Sequence, residues 1–233
     1  MRRVVAIHQP NFLPWLGWFD KLARADVLVL LDATQFPRTS RGTWMNRVQV
    51  LINGQPRWVT VPVVRAGRGT QDLRDVRVDD AQPWREKLLR TIQLSYARAP
   101  FFDRHFPLVQ EILDQPTDRL AELNEHGVRR LAEELGLDPL KLRLASDLGA
   151  TAESTELLVQ LTRSADGTAY LSGDGAAGYQ DDELFARAGL ELVYQQFEQQ
   201  AYPQLADEFV PGLSVVDALF SVGAERTRGL LGG

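Results

Sequence analysis

Short apolar runs and one amphipathic segment alternate at the start of the chain. Residues 4–7 (VVAI) and 27–31 (VLVLL) are continuously apolar, as buried parallel strands are, whereas residues 16–25 place apolar side chains at helical spacing. A strand, a helix and a second strand in this order favour a right-handed parallel crossover. The pattern therefore predicts an α/β fold with a Rossmann-like parallel sheet core.

An antiparallel pair is predicted next. Residues 48–52 (VQVLI) and 57–63 (RWVTVPV) alternate apolar and polar positions, and the turn-forming cluster NGQP separates them. They predict a β-hairpin inserted after the parallel unit. The polar residues 35–46 predict a loop over the strand ends, and residues 63–80 predict a connection rich in glycine and charge, with a short strand at DVRV.

The middle of the chain is helical in pattern. Apolar side chains recur at helical spacing in residues 83–99, 103–115 and 118–136, where Gly136 is a plausible C-terminal stop. Residues 154–165 predict a further helix, for which Ser154, Thr155 and Glu156 offer N-terminal capping. A mainly helical middle section is therefore expected.

The α/β order returns towards the C-terminus. Residues 168–179 (TAYLSGDGAAGY) predict a strand that ends in a glycine-rich turn, and a helix at 181–189 and a strand at 190–197 follow. We expect one α/β domain over residues 1–233. Its parts are a Rossmann-like start with the hairpin (1–80), a helical section (81–160) and an α/β return (161–233).

Composition removes several classes of function. The chain has no cysteine, which excludes disulfides, thiolate zinc sites and a cysteine nucleophile. Its formal net charge of −5 argues against nucleic acid as a partner. His105 and His126 stand alone in helical contexts without a second ligand at metal spacing, so no metal site and no cofactor is predicted. Without a signal-peptide core or a run of eighteen apolar residues, we expect a cytoplasmic protein that does not bind membranes.

Polar side chains follow the first strand directly, at His8, Gln9 and Asn11. In open α/β sheets ligands bind outside the carboxyl ends of the strands, so these residues are expected at the site. His8 is the candidate general base, although it could instead fix the loop through backbone hydrogen bonds. Asp32 ends the second strand and could orient His8 or bind a substrate amine or hydroxyl; equally, it could cap a turn.

Other candidates come from loops and turns. Arginines beside polar residues could clamp a carboxylate or phosphate, whereas Lys21, on the predicted helix, favours a surface salt bridge. Tryptophans near the loops could line a pocket, although core packing is the commoner role. The turn after residue 171 could cradle a phosphate or oxyanion, or be an ordinary turn. The predicted substrate-binding residues are Gln9, Asn11, Trp15, Gln35, Arg38, Trp44, Asn46, Arg47, Ser172 and Gly173, with His8 and Asp32 as the predicted catalytic pair.

A family resemblance rests on the long opening string HQPNFLPWLGWFDKLARADVLVLLDATQF and on several later motifs in a fixed order. The later motifs are W-x-N-R (Trp44 to Arg47), WVTVPV, SYARAPFF, YLSGDGAAGY, YPQ (Tyr202 to Gln204) and LSVVDALFSVG. In these the chain resembles the WbqC-like family of bacterial proteins over nearly its whole length. The resemblance implies a setting in surface-polysaccharide or natural-product biosynthesis and supplies no reaction.

Three functions stay open. The first is a transferase that moves an acyl or aminoacyl group to an amine of a sugar or amino acid; its partners would be a small-molecule substrate and an acyl thioester or carrier protein. The second is a nucleotide or nucleotide-sugar enzyme, although the chain lacks the G-x-G-x-x-G and P-loop fingerprints. The third is a non-catalytic protein that binds a small ligand. The sequence predicts no oligomeric state.

Overall fold

The computed structural model describes residues 1–37, 43–65, 67, 69–173 and 181–232. Within these residues the strands and helices are, in chain order, β1 (Val4–His8), α1 (Leu16–Arg24), β2 (Val27–Leu30), β3 (Gln35–Phe36), β4 (Arg47–Ile52), β5 (Gln55–Thr60), β6 (Gln71–Asp72), α2 (Trp84–Tyr96), α3 (Phe102–Leu113), α4 (Leu120–Glu134), β7 (Leu142–Leu144), α5 (Ser154–Ser164), β8 (Ala169–Ser172), α6 (Asp182–Arg187), β9 (Glu191–Tyr194) and α7 (Val215–Gly229).

A five-stranded parallel sheet forms the centre, in the order β7-β2-β1-β8-β9. Its central register pairs Ala6 of β1 with Leu28 on one side and with Leu171 on the other. The apolar runs form these strands because helices cover both faces. Ala6 packs in a core with residues of α1, α4 and α7, whereas Val5 and Ile7 pack in a second core with α5 and α6. The predicted Rossmann-like α/β fold is confirmed.

The strand order reverses direction beside β1. From β1 the chain proceeds through α1 to β2 and later to β7 on one side, and β8 and β9 then form on the other side. The carboxyl ends of β1 and β8 therefore lie at the point where the two halves of the sheet diverge. Such a point leaves a crevice, because the connections leave the sheet in opposite directions.

The predicted hairpin is confirmed as a separate two-stranded sheet, in which β4 and β5 pair from Arg47 opposite Thr60 to Ile52 opposite Gln55. Asn53 and Gly54 both have positive φ, 53° and 75°, as a two-residue turn of this kind requires. The predicted strand at DVRV (75–78) is not formed as a strand: Asp75 ends a 3-10 turn (Leu73–Asp75), and Arg77 and Val78 form only isolated β-bridges, with Arg119 and Val63. The short strand β6, just before that turn, pairs with β3.

The three central helices are confirmed, and Gly136 follows α4 with a φ of 64°. The predicted capping of α5 is wrong: none of the three proposed side chains caps it, and the Thr155 hydroxyl instead accepts a hydrogen bond from the backbone of Asp181. Four of the strands and helices were not predicted: the two-residue strands β3 and β6, the three-residue edge strand β7 and the C-terminal helix α7. Among the described residues, no helix combines the length and apolar character needed to cross a membrane.

A fully buried carboxylate joins the C-terminal helix to the rest of the fold. Asp217 of α7 accepts hydrogen bonds from the Tyr96 hydroxyl (2.9 Å), the Tyr202 hydroxyl (2.8 Å) and Gln204 Nε2 (3.0 Å). Tyr96 in turn accepts one from the backbone N–H of Leu51 in the hairpin (2.8 Å). Burial raises the pKa of Asp217, and the three donated hydrogen bonds oppose that rise. The network explains why YPQ and VVDALF contain polar residues within apolar surroundings.

Candidate functional site

A cavity of about 530 Å³ opens at the carboxyl ends of β1, β8 and β9, where the strand order reverses. The first turn of α1 forms another side of it. The position is the one where open α/β sheets bind their ligands. The lining residues are Ile7, His8, Gln9, Trp15, Gly17, Trp18, Lys21, Leu31, Leu158, Tyr170, Gly173, Gln195 and Phe197.

His8 is the last residue of β1, and its imidazole is fixed by the backbone. The carbonyl oxygen of Gln9 lies 3.0 Å from Nδ1 and can only accept, so Nδ1 carries the proton and donates it. The Trp18 indole N–H donates to the same carbonyl at 3.3 Å, and its ring meets the imidazole edge-on. Nε2 is thereby left as the nitrogen with a lone pair. This is the tautomer that a general base needs.

The imidazole of His8 is neutral over the physiological range. Its pKa is lowered from 6.5 to about 3, mainly by burial and in addition by the nearby ammonium of Lys21, while the hydrogen bond to Gln9 opposes both effects. Nε2 therefore keeps its lone pair at neutral pH, but with so low a pKa it accepts a proton only when negative charge developing on the substrate favours the imidazolium.

The lowered pKa of His8 predicts a loss of stability in mild acid. The unfolded chain binds a proton at His8 near pH 6.5, whereas the folded chain does so only near pH 3. The contribution of His8 is thus complete above pH 6.5 and falls below it by at most about 1.4 kcal/mol per pH unit. In urea unfolding, wild type should lose up to about 2 kcal/mol more than His8→Asn between pH 7 and pH 5. Equal losses would mean that His8 titrates normally.

The prediction that Lys21 lies on the surface in a salt bridge is wrong, because its side chain is buried. Its side chain is only 6% exposed, and it lies against the strand end of β8. A Cβ added to Gly173 would lie 2.8 Å from the Lys21 ammonium, so glycine at 173 leaves room for that group. The ammonium is near enough to His8 to lower its pKa. Among the described residues that line the cavity, Lys21 is therefore a cation and His8 a neutral base.

The packing of the Trp15 ring requires glycine at position 17, the third residue of the WLGW motif. The Trp15 indole lies so close over Gly17 that an added Cβ would be 2.4 Å from the ring. The Trp15 ring also packs edge-on against the Phe197 ring, with ring centres 5.7 Å apart. Trp15 and Phe197 form an apolar wall of the cavity, in keeping with the predicted pocket role of Trp15.

The side chain of Gln195, which lines the cavity, is hydrogen-bonded to α1. Its Nε2 donates to the carbonyl of Gly17 (2.6 Å) and to the carboxylate of Asp20 (2.7 Å). The other carboxylate oxygen of Asp20 accepts from the backbone N–H of Gly232 at 2.9 Å. Asp20 is fully buried, and these hydrogen bonds compensate for its loss of water.

The predicted catalytic pair is not brought together. The carboxylate of Asp32 accepts a hydrogen bond from the backbone of Ser146 (3.0 Å), in the turn-capping role that was the alternative. It lines a second cavity, of about 230 Å³, with Arg74 and Arg119 among its other residues. Asp32 therefore lies in the cavity that Arg74 and Arg119 also line. The carbonyl of Gln9, and not Asp32, fixes the orientation of the His8 imidazole.

The predicted substrate-binding residues divide into two groups. Gln9, Trp15 and Gly173 line the cavity, and the buried Ser172 directly precedes Gly173. The others do not line it. The side chain of Asn46 bonds to the backbone of Thr43 and Val61 as a loop brace. The remaining residues of this second group are Asn11, which is buried, Gln35 and Trp44, which are exposed, and Arg47, which is partly buried in β4; Arg38 lies outside the described residues.

Several lining residues were missed from the sequence: Lys21, Tyr170, Gln195 and Phe197. The signal for Gln195 and Phe197 was their position at the end of the last predicted strand (190–197), because the carboxyl end of that strand meets the same edge of the sheet as His8. Within the part of the chain that the structure describes, no group of three or more histidine, aspartate or glutamate side chains has metal-binding geometry.

Comparison with known proteins gives one family and one relative. The profile of the WbqC-like protein family matches residues 9–229. An uncharacterised protein of Mycobacterium tuberculosis (strain ATCC 25618 / H37Rv), Rv1507c, is 30% identical over 223 residues, which make up 95% of this chain and 94% of that protein. No solved structure gives a significant match.

Proposed function

The chain belongs to the WbqC-like protein family, and on that premise we propose that it is a biosynthetic transferase that passes an acyl or aminoacyl group from a thioester to an amine of a sugar or amino acid. One observation carries the proposal: a neutral imidazole with a free lone pair and a buried ammonium line the same cavity at the switch point of the sheet. A base and a cation are the two groups that direct acyl transfer needs.

The reaction needs no covalent enzyme intermediate. The amine nitrogen attacks the thioester carbonyl carbon while Nε2 of His8 accepts a proton from that nitrogen. The carbon–sulfur bond then breaks, and the proton on Nε2 passes to the leaving sulfur. An amide and a free thiol are the products, and His8 returns to its neutral form. The absence of cysteine is compatible with this route, because the amine itself is the nucleophile.

Negative charge that develops on the carbonyl oxygen has two sources of stabilisation. The Lys21 ammonium supplies a positive charge from a largely buried position, where a charge acts more strongly than at the surface. The N-terminus of α1 also faces the cavity, since Gly17 and Trp18 of its first turn line it. The dipole of α1 favours an anion near the helix start even though the Trp15 indole prevents close contact with the backbone there, so it acts in the same direction as Lys21.

The shape of the cavity suits an acyl chain. Its volume of about 530 Å³ lies in the range of small-molecule sites. Trp15 and Phe197 provide apolar contact in the cavity, and His8 and Lys21 provide polar contact. An acyl group can therefore pack on the aromatic wall while its carbonyl remains beside the polar pair.

Thermal unfolding tests which substrate class binds. We expect acyl-CoA thioesters to raise the melting temperature of the protein by about 5–10 °C at a hundred times their Kd, because a ligand that binds only the folded state stabilises it. Nucleoside triphosphates, nucleotide sugars and free amino acids serve as the comparison panel. If thioesters leave the melting temperature unchanged while a nucleotide or nucleotide sugar raises it, the proposed donor is wrong.

A nucleotide enzyme is the second candidate, and the location of the cavity favours it. Nucleotides bind at the switch point of many doubly wound sheets, at the start of the first helix. Here that helix begins with Trp15, Leu16, Gly17 and Trp18, and a tryptophan side chain occupies the space over the glycine. Because the indole covers the helix start, the close backbone approach that a pyrophosphate requires is obstructed, which ranks this candidate second.

A further inference from the structure

The second cavity, of about 230 Å³, lies beside the cavity of His8 at the carboxyl edge of the sheet. Consecutive residues at two strand ends divide between the two cavities: Gln9 and Leu31 line the first, whereas Pro10 and Asp32 line the second. The carbonyl of His8 accepts a hydrogen bond from the backbone N–H of Leu31 at 2.9 Å, which joins these strand ends. The two cavities are therefore neighbours, and each strand end contributes to both.

A buried carboxylate of the second cavity has one oxygen to spare. Asp32 is only 7% exposed, and its Oδ1 accepts a hydrogen bond from the backbone N–H of Ser146 at 3.0 Å. Among the residues that the structure describes, no donor hydrogen-bonds to Oδ2 and no basic side chain forms an ion pair with Asp32. A carboxylate that is removed from water needs donors to compensate for the hydration that it loses. Oδ2 is therefore available to a donor that enters the cavity.

Two arginines of the same cavity are connected to Asp32 through the backbone. The N–H of Arg74 donates to the carbonyl of Asp32 at 3.0 Å, and Nη1 of Arg119 donates to the carbonyl of Arg74 at 3.0 Å. The nearest described carboxylates are those of Asp72, 3.6 Å from Arg74, and Glu122, 3.7 Å from Arg119, which is beyond hydrogen-bonding distance. Both guanidinium groups therefore keep N–H groups for an anionic part of a ligand.

The rest of the lining limits the size and the charge of that ligand. The other lining residues are Pro10, Asp75, Ala121, Glu122, Glu125 and Leu144. Two arginines and four carboxylates give the lining a formal charge of −2, which disfavours a ligand that has only negative charge. The volume of about 230 Å³ is smaller than that of most sites for drug-sized molecules, so the ligand is small.

We propose that the second cavity binds a small α-amino acid, whose ammonium donates to Oδ2 of Asp32 and whose carboxylate accepts hydrogen bonds from Arg74 and Arg119. An amino acid carries both charges on one carbon atom, so it complements the carboxylate and the arginines together and adds no net charge. A phosphate would leave Asp32 without a donor, and an amino sugar would leave the arginines without an anion. The proposal goes beyond the proposed function, because it concerns a separate cavity and needs no transfer reaction.

Isothermal titration of the full chain measures the binding. Glycine and L-alanine are the probes, and the comparison ligands are glycinamide, which lacks the carboxylate, and N-acetylglycine, which lacks the ammonium. We expect both amino acids to bind at least about tenfold more tightly than either comparison ligand, because each comparison ligand loses one charge-assisted interaction.

Substitutions in the lining locate the bound amino acid. Asp32→Asn keeps the acceptor for the N–H of Ser146 and removes the charge at Oδ2, so glycine should bind at least about tenfold more weakly. Arg74→Gln should weaken binding by about threefold to tenfold, since the side chain is half exposed. Asp138→Asn is the matched control, because Asp138 also accepts a backbone N–H, from Leu140 at 2.9 Å, and does not line the cavity. It should bind glycine as wild type does.

Four results would overturn the proposal. The site would be wrong if wild type bound neither amino acid at about 10 mM, or if Asp32→Asn and Asp138→Asn bound glycine equally well. Glycinamide binding as tight as that of glycine would exclude recognition of the carboxylate. Loss of glycine binding in His8→Asn, with Asp32→Asn unaffected, would place the amino acid in the first cavity. Glycine binding that is lost only in the variants of the second cavity supports the proposal even if the protein transfers no acyl group.

Discussion

Replacing His8 with asparagine should lower the rate of acyl transfer by about 10²- to 10⁴-fold and leave the fold intact. Asparagine places an amide N–H close to the position of Nδ1, so the hydrogen bond to the Gln9 carbonyl can be kept. It has no atom at the position of Nε2, which is the nitrogen proposed to accept the proton. The substitution therefore removes the base and retains the bond that fixes the loop.

Single-turnover transfer from an acyl-CoA to a panel of amino sugars and amino acids measures the effect, with the melting temperature as the control for folding. Because the pKa of His8 is about 3, wild-type activity should show no decline near pH 6.5 on account of this residue. Thioester binding should persist in His8→Asn. A variant that binds thioester and transfers at the wild-type rate would remove His8 from the chemistry.

Replacing Asp217 with alanine should destabilise the protein by about 3–5 kcal/mol and lower its melting temperature by about 10 °C or more. The carboxylate is the acceptor for two buried hydroxyls and one amide. Without it, the donors of Tyr96, Tyr202 and Gln204 are left in an apolar region together with a void. The cost of unsatisfied buried donors is added to the cost of the cavity.

Urea unfolding measures this loss, and Asp207→Ala is the matched control, because Asp207 is an exposed carboxylate a short distance earlier in the chain. The control should change stability by no more than about 0.5 kcal/mol. Asp217→Asn should lie between the two, since it keeps one acceptor oxygen. Similar stabilities for Asp217→Ala and Asp207→Ala would show that the network contributes little and that packing alone holds α7.

Periodic elements could be predicted because their pattern is local. The runs that became β1 and β2 are apolar throughout, and the turn at Asn53 and Gly54 has its own chemistry. The edge strand β7 has only three residues, too few to establish a period. The helix α7 has a break at Gly223, where φ is 78°, and its buried polar residues obscure the apolar face.

The candidate site was predicted where it depends on one strand end and missed where it depends on contact between distant segments. His8, Gln9 and Trp15 follow the first strand within a few residues, so their proximity could be inferred. The burial of Lys21 depends on Gly173, more than 150 positions away. A lysine on a helix is ordinarily solvated, and nothing near it in sequence indicates that a strand end covers it.

The hydrogen bonds of Asp20 constrain the order in which parts of the fold can form during translation. The carboxylate lies in α1, but its partners Gln195 and Gly232 are 175 and 212 positions further along the chain. During translation, only Arg24 of the same helix is near this carboxylate until residues 195 and 232 have emerged from the exit tunnel and can donate their hydrogen bonds. The wall that α1 contributes to the cavity therefore gains its last hydrogen bonds only after segments about 200 residues later have been made.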